Sequence, residues 1–346
     1  MVTSSDSIEE NKVFPPRGNF GGHALVSPFE PDAASMDSDE PLFGMPPEAL
    51  YLWGTLRDEE GDLHTIMRRI PHTQPATTRR TLVVQTTMGG ASALKMHPCG
   101  RSAAPHTNFV RELVGDNAVE WRSTPDAEGA PFRVQWRPDG CTWIEEGTFE
   151  LEGKMIRPGM QWYVPGPNAS LAYIATIFEL EGTIFGRKCR GLIGFDQIYM
   201  YEGGEVYKTK DPLIEEGLEM LWYTWATRYK DGSVDAGHFM LGNDKFGFAI
   251  LTDENENIRI TYDTDGEITY DEDGYWQTGA RFSMAGEEFE FLPDPRGRMP
   301  DLGNIPNPQV DGRWRRVGDT REPDVWFAWG EAVPSHGGKQ QNRYSY

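Results

Sequence analysis

An acid or base that works near neutral pH needs a carboxyl or imidazole withdrawn from water, because burial disfavours the charged form and moves its pKa. Asp196 is the first residue of this chain to fit. It follows the small residues Gly191 and Gly194, where a ligand or another backbone can approach, and strand alternation puts it on one face with Arg190, Leu192 and Gly194. Beside a lumen, such a carboxyl could protonate an alkene or polarise water; the competing reading is a carboxylate that caps a turn or pairs with Arg190 or Arg187. His238 is the second candidate. It alternates with Val234, Ala236 and Met240 onto a mostly apolar face directly after an Asp231–Gly232 turn, and an imidazole there could act near pH 7. The alternative is a core histidine with one hydrogen bond. His64 sits on a similar hairpin with Ile66 and Arg68 on its face, whereas His72, His97, His106 and His336 fall in Pro- or Gly-containing segments and read as solvated.

Aromatic residues supply the second kind of chemistry. In LWYTWATRY, Trp222 and Thr224 face one way and Tyr223, Trp225 and Tyr229 the other, so one of the two faces should line a lumen. Trp and Tyr bury a large apolar area while keeping a polar tip, which suits a terpenoid, polyketide, steroid or aryl compound. Tyr173, Tyr201, Tyr275 and Trp276 join this set on the same ground, and ordinary barrel core is the competing reading for each. The chain has no His-x-x-x-His pair, Gly-Lys-Ser phosphate loop, Gly-x-Gly-x-x-Gly turn or Gly-x-Ser-x-Gly elbow. No metal and no cofactor are therefore expected. The acidic runs at 58–62 and 261–276 offer hard oxygen ligands but lack the spacing of a calcium loop, and read as solvated turns.

The elements that must position these residues are short aromatic and β-branched runs separated by Gly, Asp and Asn, with no long helical period between them. That texture predicts an all-β chain with few short helices, built as antiparallel barrels without βαβ crossovers. A length of 346 residues suits two such units. An extended arm is expected over 1–45, a first barrel over 46–205 and a second over 206–346, the last with a tail wrapping outside. A helical turn is expected near Leu213 to Met220, and LPDPRGRMPDLGNIPNPQVDG reads as a long loop over a barrel mouth.

Lys plus Arg number 33 against 54 for Asp plus Glu, a formal charge of −21, and the few basic doublets are isolated, which argues against nucleic-acid binding. No apolar run reaches a membrane-spanning length of about 18 residues, and the start MVTSSDSIEENKVF has no signal-peptide pattern. Three widely spaced cysteines, Cys99, Cys141 and Cys189, suit thiols in a reducing compartment. A cytoplasmic protein whose partner is a hydrophobic small molecule is the expectation.

Two neighbouring segments carry a family likeness. GTIFGRKCRGLIGFDQIYM, with Gly182, Thr183, Gly186, Gly191 and Asp196, resembles a strand-ending segment of the double-lipocalin family of bacterial carotenoid 1,2-hydratases and related AttH-like proteins. The hairpin that follows, with Trp222, Trp225, Asp231 and Gly232, resembles the family's next strand pair, and Trp329 with Glu331 resembles its C-terminal W-x-E element. The likeness spans about half the chain and implies two lipocalin-like barrels in tandem. It departs after Asp196, where the family has His or Arg followed by Trp-Gly and this chain has Gln197, Ile198 and Tyr199. A proton carrier supplied by that histidine is therefore not carried over. The resemblance and the missing cofactor motifs together imply a lyase or isomerase acting by acid-base catalysis in a barrel cavity, with Asp196 or His238 moving the proton and Trp222, Tyr223 and Trp225 shaping the substrate. A non-catalytic carrier of an apolar metabolite is the alternative.

Overall fold

In a computed structural model the protein is described over residues 24–72, 82–99, 109–127, 129–166, 169–207, 209–215, 219–242, 246–302 and 307–333. His106, His336, the first 23 residues of the expected arm and the C-terminal tail from 334 lie outside that range. The first half of the chain holds β1 (Leu25–Phe29), α1 (Ala33–Met36), β2 (Pro47–Asp58), β3 (Leu63–Pro71), β4 (Leu82–Thr86), β5 (Lys95–Met96), β6 (Phe109–Val114), β7 (Ala118–Ser123), β8 (Phe132–Arg137), β9 (Gly140–Glu145), β10 (Phe149–Val164), β11 (Leu171–Ile184) and β12 (Arg187–Met200). After a short helix α2 (Pro212–Glu215) come β13 (Glu219–Tyr229), β14 (Val234–Gly242), β15 (Gly247–Asp253), β16 (Ile258–Thr261), β17 (Thr264–Tyr270), β18 (Gln277–Met284), β19 (Glu287–Arg298), β20 (Gln309–Arg316) and β21 (Pro323–Ala332).

These strands make two antiparallel sheets with one plan. The first is ordered β5-β4-β3-β2-β12-β11-β10-β9-β8-β7-β6, with β1 added on β10; the second is ordered β16-β15-β14-β13-β21-β20-β19-β18-β17. In each, the opening strand pairs with the closing strand, β2 with β12 and β13 with β21, so an up-and-down meander curls back on itself. The all-β tandem-barrel expectation holds.

Three expectations of detail do not. The helical turn ends at Glu215 and strand begins by Glu219, so Met220 is strand rather than helix. The Pro-rich stretch is not one loop: β19 runs through Pro293 and Pro295 to Arg298, with its register shifting between Pro293 and Arg298, where the missing N–H groups are tolerated. Likewise 264–270 within the acidic run is strand, its solvent face acidic and Thr264 buried.

Alternation divides most of the core into three layers, beside a small cluster of Met45, Ala172, Ile174 and Tyr199. Ile193 and Phe195 of β12 point into the first barrel, and Leu192, Ile198 and Met200 point out of it. Leu221, Tyr223 and Trp225 of β13 point into the second barrel, while Ala226 faces out. The outward faces of β2, β10, β11 and β12 pack on those of β13, β14, β15 and β21 as a shared layer. Both interiors are filled. Trp121, Trp136 and Trp143 occupy the first with a buried Arg68–Glu145 ion pair, and Trp225 stacks on Trp314 at 4.5 Å in the second. Each such ring takes roughly 150–250 Å² out of water, about 4–6 kcal/mol at 25 cal/mol per Å². Emptying an interior for a ligand would forfeit several of these terms.

Polar pins tie the halves together. Thr55 Oγ1 donates to Asp311 Oδ1 at 2.8 Å, and Arg57 donates to the Trp326 carbonyl at 2.5 Å with its guanidinium 4.1 Å from the centre of that indole. Burial pushes Asp311 up to about 7 although Arg57 and Thr55 pull it down.

Candidate active site

The site begins with a turn. Phe185 and Gly186, both with positive φ, join β11 to β12 as a two-residue hairpin loop, which fixes Ile184 opposite Arg187 and, further along the same ladder, Ala175 opposite Asp196. Tyr173 then lies opposite Ile198, and on the other flank β2 sets Trp53 opposite Gly194. Tyr173 and Trp53 are thus diagonal neighbours of Asp196 on one face of the sheet, within reach of long side chains. Tyr173 donates its hydroxyl hydrogen to Asp196 Oδ2 at 2.5 Å, and Trp53 Nε1–H donates to the same oxygen. Gly194 makes this possible, because a Cβ there would stand 3.0 Å from the Trp53 indole.

Asp196 is wholly buried, its Oδ1 has no hydrogen-bond partner among the described residues, and neither Arg190 nor Arg187 approaches it. Arg187 instead binds Asp58, and Arg190 binds Asp324. Burial pushes the Asp196 carboxyl up to about 7, against the pull of its two donors. Burial likewise holds the Tyr173 hydroxyl well above its ordinary value.

Trp53 and Tyr173 form part of the wall of a cavity of about 190 Å³ between the two sheets. Tyr51, Met67, Trp162 and Ile198 of the first sheet complete that wall; Trp222, Gln309, Trp329 and Glu331 of the second face it. Trp162 stacks on Tyr173 at 4.8 Å, and Trp222 meets Tyr173 edge-on at 5.4 Å. The segment Glu205–Tyr207 and Leu213 cover one end, where half-exposed Arg69, Glu205 and Tyr207 mark the mouth. Arg69 donates to the Tyr51 hydroxyl at 3.0 Å and pairs with Glu48.

The residues singled out from sequence divide by face. Asp196, Tyr173 and Trp222 come together at the cavity. Tyr223 and Trp225 do not reach it, because the same alternation that aims Trp222 outward turns them into the filled second barrel. His238 lies opposite Thr224, with Nδ1 2.6 Å from Thr224 Oγ1 and its ring parallel to Trp222 at 6.5 Å, so Trp222 lies between it and Tyr173. Burial lowers His238 to about 3, which keeps the imidazole neutral. His64 is inside the first barrel against Asp58 at 3.1 Å, Tyr201 is 38% exposed, and Trp276 packs with Tyr275 and Arg298 on the second barrel. None of these three lines the cavity.

Sequence reading missed Glu331, Gln309, Tyr207 and Arg69 as site residues. For Glu331 a signal was present: it is a carboxylate inside the otherwise apolar run VWFAWGEAV, on a strand buried along most of its length.

No family model matches the chain, and no curated protein matches it. Among solved structures, a candidate AttH from Nitrosomonas europaea aligns over 83% of this chain and 93% of its own, with 14% identity and a TM-score of 0.46. Kievitone hydratase from Nectria haematococca aligns over 93% of this chain and 98% of its own, with 7% identity and a TM-score of 0.39. Likenesses this distant say nothing of what this chain acts on.

Proposed function

We propose that the cavity between the sheets is the active site of a lyase or isomerase that needs no cofactor and adds, removes or relocates a proton on an apolar small molecule, as a hydratase, dehydratase or cyclase does. One observation carries the reading. Asp196 is a fully buried carboxyl without a cationic partner among the described residues, poised near neutrality and bonded to two aromatic side chains of the cavity wall. A carboxyl with that proton affinity is half protonated at pH 7, the condition under which general acid catalysis is most effective.

Because Asp196 sits behind the wall, its proton reaches the cavity through Tyr173. When Asp196 is protonated the hydrogen bond between them reverses, and Tyr173 gives its own proton to a substrate carbon while taking one from Asp196. The resulting cation faces the indoles of Trp53, Trp162 and Trp222, which attract positive charge over their rings. It is then captured by water, or loses a proton from a neighbouring carbon. About 190 Å³ exceeds the engineered cavity of roughly 150 Å³ that admits benzene. One aryl ring or branched terpenoid unit would therefore be enclosed, with the rest of a longer substrate leaving past Arg69 and Glu205.

The experiment is incubation of the full chain with unsaturated and hydroxylated aryl, terpenoid and steroid compounds, followed by mass analysis. The reading expects a product changed by one water, or an isomer of unchanged mass and altered retention. Compounds that quench tryptophan fluorescence yet return unaltered would establish the carrier instead.

A further inference from the structure

Asp196 has a counterpart. On β12 it lies opposite Tyr51 of β2, the first strand of the meander. On β21, the last strand of the second sheet, Glu331 lies opposite Trp222 of β13, again the first strand. Tyr51 and Trp222 both line the cavity. The shared plan of the two sheets thus brings one carboxyl from each closing strand to the same cavity, Glu331 in its lining and Asp196 behind its wall, and each accepts a hydrogen bond from a tyrosine of that wall, Tyr173 for Asp196 and Tyr207 for Glu331.

The surroundings of the two carboxyls differ in a way that sorts their roles. Trp329 Nε1–H, which can only donate, is 2.7 Å from Gln309 Oε1, and this fixes which way the amide points. Gln309 must then offer its NH₂ to Glu331 Oε2, at 2.6 Å, while Tyr207 donates to Oε1. Both oxygens of Glu331 face donors, an arrangement that favours the carboxylate. Asp196 has both donors on one oxygen, and its other oxygen has no partner among the described residues, so less of its negative charge is met by donors than that of Glu331.

Tyr207 adds an independent mark. It has a left-handed backbone, φ +61, uncommon for a residue with a Cβ, held by donation of its N–H to Asp211 at 2.5 Å. In that conformation the Tyr207 hydroxyl reaches Glu331.

We infer that Glu331 is the second catalytic group of the cavity: the base that takes a proton from water as Asp196, through Tyr173, delivers one to carbon. The inference rests on the lyase reading above. For hydration the balance closes: an alkene gains the proton from Tyr173 at one carbon and hydroxide at the other, Glu331 keeps the second proton of water, and Asp196 is left ionised. Proton return from Glu331 to Asp196 through water and Tyr173 restores both. Dehydration is the same sequence reversed, with Glu331 as the acid. Two carboxyls set among different donors are a general pattern for such paired roles.

Infrared difference spectra of the full chain at about pH 5.5, between the ordinary glutamate range and the neutral region, test the protonation states without any substrate. Subtracting E331Q from wild type should reveal a lost carboxylate band, and subtracting D196N a lost protonated-carboxyl band. A protonated-carboxyl band lost in E331Q would overturn the assignment. The probe for turnover is α-methylstyrene, whose hydration gives a tertiary benzylic alcohol that fits the cavity. E331Q should lower kcat roughly a hundredfold or more with KM little changed, and E331D should recover part of it; wild-type kcat in E331Q would also overturn the inference while leaving Asp196 in place. If wild type leaves this probe unchanged the reaction reading is what weakens, and the infrared result still decides Glu331. Melting temperatures of all three variants separate a folding defect from a catalytic one.

Discussion

Tyr173 and Asp196 lie on adjacent antiparallel strands, two positions apart along the ladder, and share a 2.5 Å hydrogen bond behind the wall of a cavity that Tyr173 itself lines. A proton on Asp196 therefore has one short path to the cavity, and that path ends on an aromatic side chain rather than on solvent.

Removing the hydroxyl should break the path without disturbing the stack. In Y173F the ring still packs on Trp162, but Asp196 loses a donor that pulls its pKa down. The carboxyl should titrate above its wild-type value, followed by carbon-13 NMR of labelled aspartate, and turnover should fall roughly a hundredfold or more.

Stability should respond to pH through the same carboxyl. The folded value of Asp196, about 7, is above the ordinary 3.8, so the native state holds the proton more tightly than the unfolded chain. Its contribution is present in full below about pH 4 and is lost as pH rises through about 7. D196N keeps an acceptor for Trp53 and Tyr173 and carries no charge, so it should melt above wild type at pH 8, by an amount worth at most about 4 kcal/mol, and close to wild type at about pH 4. Calorimetric scans at both pH values check the sign.

Gly194 controls the other donor. A methyl group there would press on the Trp53 indole from 3.0 Å, and the indole must tilt away from β12 to accommodate it. G194A should cost about 1–3 kcal/mol in urea unfolding and raise the Asp196 pKa, since the bond from Trp53 lowers it.

Arg57 pins the halves across the shared layer. R57A removes the donor to the Trp326 carbonyl and the cation beside buried Asp311, and should cost about 3–5 kcal/mol at pH 8. Asp311, already pushed up to about 7, takes a proton readily once its cation is gone, so the loss should be smaller near pH 5. Urea unfolding at the two pH values measures it.

The sheet architecture and the face of Asp196 were legible because alternation and a two-residue turn are local properties. RGLIGFD places Asp196 with Leu192 and Gly194, and the Phe185–Gly186 turn fixes that strand against its neighbour. What covers the face was not legible. Trp53 lies 143 residues before Asp196, and only the pairing of β2 with β12 brings it there. The choice between Trp222 and its neighbours Tyr223 and Trp225 likewise needed the second sheet, since alternation separates two faces without saying which is filled core. Large side chains pack both barrel interiors, and the apolar cavity beside Asp196 lies between the sheets. Glu331 reads as an oddity in an apolar strand until Gln309 and Tyr207 are seen against it.

The most direct measurement compares wild type with D196N, at pH 7 and in one assay, on a compound the wild type converts. If Asp196 supplies the proton, the amide variant should fold, bind the compound with similar affinity by tryptophan fluorescence, and turn it over roughly a hundred to ten thousand times more slowly. An equal rate in the folded D196N protein would contradict the account.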